Sequence, residues 1–284
     1  MFDLSAQSVV VTGGGTGLGR AITLAMARSG ATVFIAGRRP DALYSVAALA
    51  SAEGLVVVPV PTDISERSEV EALVQTVLDR TGRLDTFVNN AGGADRDDTG
   101  PLIDLDVDQF ERVISLNLTW TFFAAQSAAR AMTRGGSIIN ITSRSATGAN
   151  PMTGQYGAAK AAIENLTRTM AVEWGHRGIR VNAVAPGLVI TENNSQVYLT
   201  VSRLRRQLAT VPLQRLGRPD DVGPACVYLA SDEAQWVSGV VVPVNGGSTI
   251  PVGLLTYLHH RNSEVMDAAA FQENFDLSRK EGED

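Results

Sequence analysis

SVVVTGGGTGLGR, residues 8–20, starts as an apolar, β-branched run and passes without a spacer into five glycines spread over seven positions. The run reads as a buried strand, and the residues from Leu18 onward carry a helical pattern to about Ser29. Glycines at such a strand-to-helix turn adopt backbone conformations closed to other residues and let N–H groups approach a ligand. The helix start that follows offers unpaired N–H groups and a positive dipole end to an anion. A glycine cluster alone serves many tight turns, but after the first buried strand of a βαβ unit it reads as a dinucleotide pyrophosphate cradle. Gly13, Gly17 and Gly19 give the spacing T-G-x-x-x-G-x-G, which differs from the commoner G-x-G-x-x-G.

Outward from this turn, short apolar runs alternate with longer amphipathic stretches. Strands are expected at 32–37, 55–60, 84–90, 136–143, 179–185 and 240–245. Helices are expected at about 41–53, 66–81, 106–133, up to about Trp174, and once or twice between 195 and 231. Strands this continuously apolar are buried on both faces, which requires helices above and below a parallel sheet. The βα alternation with right-handed crossovers therefore predicts an α/β fold, a doubly wound parallel (Rossmann-like) sheet. One domain is expected over residues 1–248. From Thr249 the pattern stops, and 249–284 reads as a C-terminal extension ending in the polar, disordered tail FQENFDLSRKEGED.

Bulk properties exclude several classes. A net charge of −6 argues against nucleic acid as the main partner, because neutralising phosphates needs clustered Lys and Arg. The single cysteine, Cys226, forbids an intramolecular disulfide and fits a reducing compartment. The N-terminus lacks a basic stretch followed by an apolar core, so no signal peptide is expected. No apolar run reaches the roughly 18–20 residues that span a bilayer. A cytoplasmic protein without membrane partners is the expectation.

Two further stretches carry chemistry. An NAD site wants a carboxylate about 20 residues after the loop, at the end of the second strand, to bond the ribose 2′-OH. Here that place holds Gly37, followed by Arg38 and Arg39, whose guanidinium groups suit a 2′-phosphate. NADP is therefore the expected cofactor, with NAD the alternative. Asp63, at the end of the third strand, is placed near the adenine amine. In QYGAAKAAI, residues 155–163, Tyr156 and Lys160 lie four apart on one helix face otherwise lined with alanine. An ammonium beside a phenol favours the phenolate and would lower the ordinary tyrosine pKa of about 10.

NNAG at 89–92, ITS ending in Ser143 with Tyr156 thirteen positions later, and PGLVIT at 186–191 complete an ordered set with the glycine turn. This set resembles the short-chain dehydrogenase/reductase superfamily over about residues 5–248, in particular its single-domain 3-oxoacyl-thioester reductases. The resemblance implies an NAD(P)-dependent oxidoreductase interconverting a ketone and a secondary alcohol. It implies Tyr156 as the general acid or base, Lys160 as its partner and a ligand of the nicotinamide ribose, Ser143 bonding the substrate oxygen, and Asn117 holding a relay water. It also implies that Gly13, Thr16, Gly17, Leu18 and Gly19 seat the pyrophosphate, with Arg38, Arg39, Asp63 and Ile64 at the adenosine end. Asn89, Asn90, Ala91 and Gly92 would line the cleft, and Pro186, Gly187, Val189 and Thr191 would meet the nicotinamide side. A homotetramer paired through the 106–133 and Tyr156 helices is the family default.

Substrate identity is left to loops. GADRDDTG at 93–100 should flank the substrate mouth. A lid over about 192–210 carries Arg203, Arg205 and Arg206, which suit the phosphates of a CoA or acyl-carrier thioester or simply form a solvated face. His259 and His260 lack carboxylate or cysteine partners, so no metal site is expected. Alternatives are an NAD-dependent sugar, polyol or steroid alcohol dehydrogenase, an enoyl or dienoyl thioester reductase, and a catalytically silent dinucleotide sensor.

Overall fold

A computed structural model of the chain describes residues 2–94, 96–192, 208 and 210–249. The tail, His259 and His260, and Arg203, Arg205 and Arg206 of the expected lid lie outside the described residues. Among the described residues seven strands form: β1 (Ser8–Thr12), β2 (Thr32–Gly37), β3 (Val57–Pro61), β4 (Thr86–Asn89), β5 (Gly136–Ile141), β6 (Ile179–Pro186) and β7 (Val241–Val244). They pair in parallel in the order β3-β2-β1-β4-β5-β6-β7, the doubly wound arrangement expected. Between them run α1 (Gly17–Arg28), α2 (Pro40–Ala52), α3 (Arg67–Thr81), α4 (Val107–Ile114), α5 (Trp120–Ala131), α6 (Gly154–Trp174) and α7 (Gly223–Ala230).

The unbroken apolar runs are explained by burial on both sheet faces. Successive strand side chains point oppositely, so Val9 and Val11 join Ile22, Met26 and Leu229 in one core layer. Val10 and Phe34 join Leu73, Val77 and Ala128 in the other. A half-exposed sheet would show polar residues at alternate positions, and β1 and β2 show none in their interiors. Among the described residues, no helix is long and apolar enough to cross a membrane.

Two elements depart from expectation for local reasons. β3 starts at Val57 because Leu55 is used to close α2: its N–H bonds Ala50 O (2.9 Å) while Gly54 N–H bonds Ser51 O (3.0 Å). That pair is a Schellman cap, incompatible with strand pairing at the same residue. The long helix expected over 106–133 is two helices joined by a wide π turn at Ser115–Thr119. Asn117 sits in that turn and donates to Val113 O at 2.9 Å. A side-chain bond of this kind competes with the backbone ladder and widens the helix locally.

A buried polar chain ties the sheet to α6. Asn89 Nδ2 donates to Asn140 Oδ1 (3.0 Å), Asn140 Nδ2 to Thr167 Oγ1 (2.9 Å), and Thr167 Oγ1 to Ile163 O (2.8 Å). Asn89 is therefore a strut inside the sheet, not the cleft-lining residue expected, because strand alternation turns its side chain inward. Replacing Asn140 with Leu would leave the buried Asn89 amide unpaired, a loss of about 2–3 kcal/mol. Urea unfolding at neutral pH is expected to show that loss in Asn140→Leu and almost none in Asn165→Leu, on the outer side of the same helix.

Candidate active site

The parallel sheet places the carboxyl ends of β1 and β4 side by side, where the chain order reverses and a crevice opens. Thr12 holds that seam. Its buried Oγ1 accepts from the N–H groups of Asn90 and Ala91, both at 3.0 Å, and donates to Val88 O at 3.3 Å. Asn90 Nδ2 reciprocates by donating to Thr12 O at 2.9 Å. Beneath it, α1 lies hard against the glycine turn: a Cβ on Gly19 would stand 2.0 Å from Gly13 O, so only glycine fits.

The start of α1 is built for an anion. Thr16 occupies the N-cap position but makes no side-chain cap bond. Its hydroxyl instead accepts from Arg39 Nη2 at 3.1 Å. The N–H of Gly17, first residue of the helix, donates to Glu192 Oε1 at 3.1 Å, and Arg20 lies 3.7 Å from the same oxygen. Burial raises the Glu192 pKa, but backbone N–H groups and the Arg20 and Arg39 charges outweigh it and hold the carboxyl below its usual range. A carboxylate of the chain thus stands in for a phosphate oxygen, and the residues present fit the pyrophosphate expected there. Leu18 is partly buried against the core beside this turn.

At the adenosine end, Arg38 and Arg39 are exposed just past β2. Asp63 Oδ1 accepts from Ser65 N (3.0 Å) and Oγ (2.7 Å). Burial raises the Asp63 pKa, yet these bonds and the Arg38 charge bring it below the ordinary value. Ile64 and Val189 are core residues, which leaves only their backbones for a ligand. Pro186 ends β6, Gly187 N bonds Val244 O (2.9 Å), and Thr191 Cγ2 lies above Gly17.

Asn117, Ser143, Tyr156 and Lys160 converge on the far side of the seam. The Asn117 side chain is fully buried and spans Gly93, donating to its carbonyl (2.6 Å) and accepting from its N–H (2.9 Å). A Cβ on Gly92 would fall 2.6 Å from Asn117 Oδ1 and 3.4 Å from Lys160 Nζ, so this glycine lets the two side chains approach the backbone together. Lys160 Nζ donates to Ile141 O at 3.0 Å and lies 5.6 Å from the Tyr156 ring centre. The Ser143 hydroxyl lies close enough to the Tyr156 phenol to pull against the effect of burial on it.

The expected lowering of the Tyr156 pKa is not found. Burial pushes the phenol up, and the Ser143 hydroxyl only partly opposes it. Lys160 is itself buried and lowered to about 8, and its nearest partner is the Ile141 carbonyl. Desolvation dominates at both groups.

Two residues near the site carry no motif. Gln155 is 1% exposed, donates to Asp98 O, and pins the 93–100 segment to the helix that carries Tyr156. Glu192 follows PGLVIT directly, and the only available signal was an acid one residue past a cofactor motif. Among the described residues, no group of three His, Cys, Asp or Glu gathers as a metal site.

Residues 13–249 match a family model described as enoyl-(acyl carrier protein) reductase. Glucose 1-dehydrogenase 2 of Bacillus subtilis (strain 168) is 32% identical over 254 residues, covering 87% of this chain and 96% of its own. The 3-oxoacyl-(acyl-carrier-protein) reductase FabG of Thermotoga maritima is 35% identical over 251 residues, 87% of this chain and 99% of its own. A solved 7α-hydroxysteroid dehydrogenase complexed with NADH and 7-oxo glycochenodeoxycholic acid matches with TM-score 0.81 at 34% identity, covering 86% of this chain and 95% of that one. The chain belongs to the short-chain dehydrogenase/reductase superfamily. It is an oxidoreductase of CH–OH and C=O groups that works with a nicotinamide dinucleotide.

Lys160 gives a stability test with a defined sign. Its ordinary value of 10.5 falls to about 8 in the folded chain. Between those values the unfolded chain binds more protons, so stability rises with pH across the window and the full penalty stands below it. The gap is worth about 3 kcal/mol, part of which the Ile141 bond offsets. Lys160→Met is expected to stabilise the cofactor-free protein by about 1–2 kcal/mol at pH 7 and to flatten its stability between pH 8 and 10. Thermal melts across that range measure both.

Proposed function

We propose that the protein is an NADPH-linked reductase of a ketone or a 3-oxoacyl thioester. The observation that carries this reading is the Tyr156 ring 5.6 Å from Lys160 Nζ, with Ser143 beside the phenol, set across the crevice from the anion-binding start of α1. When bound, the dinucleotide supplies the hydride. The chain's own residues manage the oxygen and its proton. Ser143 and Tyr156 both present hydroxyls to the carbonyl oxygen, and burial keeps the Tyr156 phenol protonated at neutral pH. A protonated phenol can donate to the carbonyl oxygen in reduction, and the same group accepts the alcohol proton in the reverse direction. Lys160, lowered to about 8, sits close enough to neutrality to return a proton to Tyr156 after each turnover. Asn117 has its amide committed to Gly93 and Val113, so a relay water must meet its backbone, while its side chain fixes Gly92 beside Lys160.

NADP preference is supported by Arg38 and Arg39 at the end of β2, where a ribose-binding carboxylate would otherwise stand. The NADH-bound steroid dehydrogenase supports the second reading, an NAD-linked alcohol dehydrogenase. The FabG relative supports a thioester substrate and the glucose and steroid enzymes a free carbonyl or alcohol. We take residues 1–248 as the catalytic unit and 249–284 as an extension. Self-association into a homotetramer is supported by exposed Leu102 and Ile103 just before α4 and Val107 and Phe110 on it; Leu102, Val107 and Phe110 line an open groove of about 750 Å³. A reducing, cytoplasmic setting is supported by the lone, buried Cys226.

The test is NADPH consumption, with NADH as control, on acetoacetyl-CoA and on a free ketone. Tyr156→Phe is expected to lower turnover by roughly 10²–10⁴-fold while NADPH affinity changes little. A sensor would bind NADPH and show no turnover to lose. Arg38→Ala is expected to weaken NADPH binding about tenfold, the worth of one charge-assisted phosphate contact, and to leave NADH unchanged. Equal effects on both cofactors would favour the NAD-linked alternative.

A further inference from the structure

We infer that Glu192 is an internal competitor of the dinucleotide, its carboxylate holding the pyrophosphate seat at the start of α1 until the cofactor displaces it. The inference rests on the dinucleotide reading of that cradle and adds a residue that sets cofactor affinity.

Three features place Glu192 in the seat. Its Oε1 takes the Gly17 N–H at 3.1 Å, the bond a phosphate oxygen needs at a helix start. The same oxygen lies 3.7 Å from Arg20, and Arg39 adds its charge, so the carboxylate engages the cations that would otherwise face a phosphate. Thr16, the residue that could cap the helix from within, has its hydroxyl taken by Arg39. The chain thus satisfies the helix start with a distant carboxylate, 175 positions along the sequence.

The geometry also shows how the carboxylate leaves. Up to Ile190 the segment is fixed: Gly217 N bonds Leu188 O (2.9 Å), Ile190 N bonds Gly217 O (3.1 Å), and Val189 is buried. The Glu192 side chain is 40% exposed. A pyrophosphate brought against Gly17 N–H meets a like charge at hydrogen-bond distance, and the two cannot share one donor. The Glu192 carboxylate must yield the seat, which frees Arg20 and Arg39 for the incoming phosphates. A group that binds only the free form lowers apparent affinity by the population it holds.

The experiment titrates full-length wild type, Glu192→Gln and Glu192→Ala with NADPH and, separately, with inorganic pyrophosphate, by calorimetry. Glu192→Ala is expected to bind both about 2- to 5-fold more tightly, the range set by one charge at a helix start. Glu192→Gln, which keeps a neutral acceptor, should fall between it and the wild type. Unchanged or weaker binding of both ligands in Glu192→Ala overturns the inference. Tighter pyrophosphate with no NADPH binding in any form upholds the seat assignment and overturns the dinucleotide reading instead.

Discussion

The hydroxyl of Thr12 is the contact on which the rest of the molecule turns. It is 1% exposed, accepts two backbone N–H groups from the β4 exit and donates to a third residue there. Together with the Asn90 amide, which donates to Thr12 O, it fixes the loop after β4 relative to the glycine turn after β1. That loop carries Gly92 and Gly93, which set the distance between Asn117 and Lys160. One buried hydroxyl therefore couples the anion-binding half of the crevice to the proton-handling half. Valine would match its shape while leaving two buried N–H groups without an acceptor.

A second coupling runs along α6. Tyr156, Lys160 and Glu164 form a stripe at four-residue intervals, and each meets the exit of β5: Ser143, the Ile141 carbonyl and the Thr142 hydroxyl respectively. Burial raises the Glu164 pKa, with the Thr142 bond and the Arg168 charge opposing. The helix that carries the phenol is thus clamped to the strand end that carries the serine through three polar contacts within two turns. Alanines between them keep the surface low.

What could be read from the sequence follows from the range of the forces involved. Strands buried on both faces announce themselves as apolar runs, so β1 and β2 were legible to the residue. The glycine turn and the Tyr156–Lys160 pair could be read because each lies within one strand-to-helix turn or on one helix face. Misreadings came where a neighbouring residue decides. Strand parity gives the sheet interior to Asn89 and the crevice to Asn90, and no local pattern separates two adjacent asparagines. The wide turn at Ser115–Thr119 depends on which carbonyl the Asn117 amide chooses. The Tyr156 pKa direction depends on burial supplied by the whole fold. Glu192 was illegible because no short-range rule links an acid to a helix start so distant in sequence.

The strand order also dictates when the protein can fold. β1 lies in the sheet between β2 and β4, and the hydrogen bonds that complete the crevice join Thr12 to residues 78 and 79 positions later. Closing loops of that size before any contact repays them makes folding slow, in the manner of proteins of high contact order. A growing chain can form β1-α1-β2-α2-β3 early, but that partial sheet has a bare edge at β1. The edge stays open until residues 86–89 emerge and occupy it. During that interval β1, buried along its whole length in the finished protein, is exposed at the sheet edge, which makes the span between the first and fourth strands a period of aggregation risk.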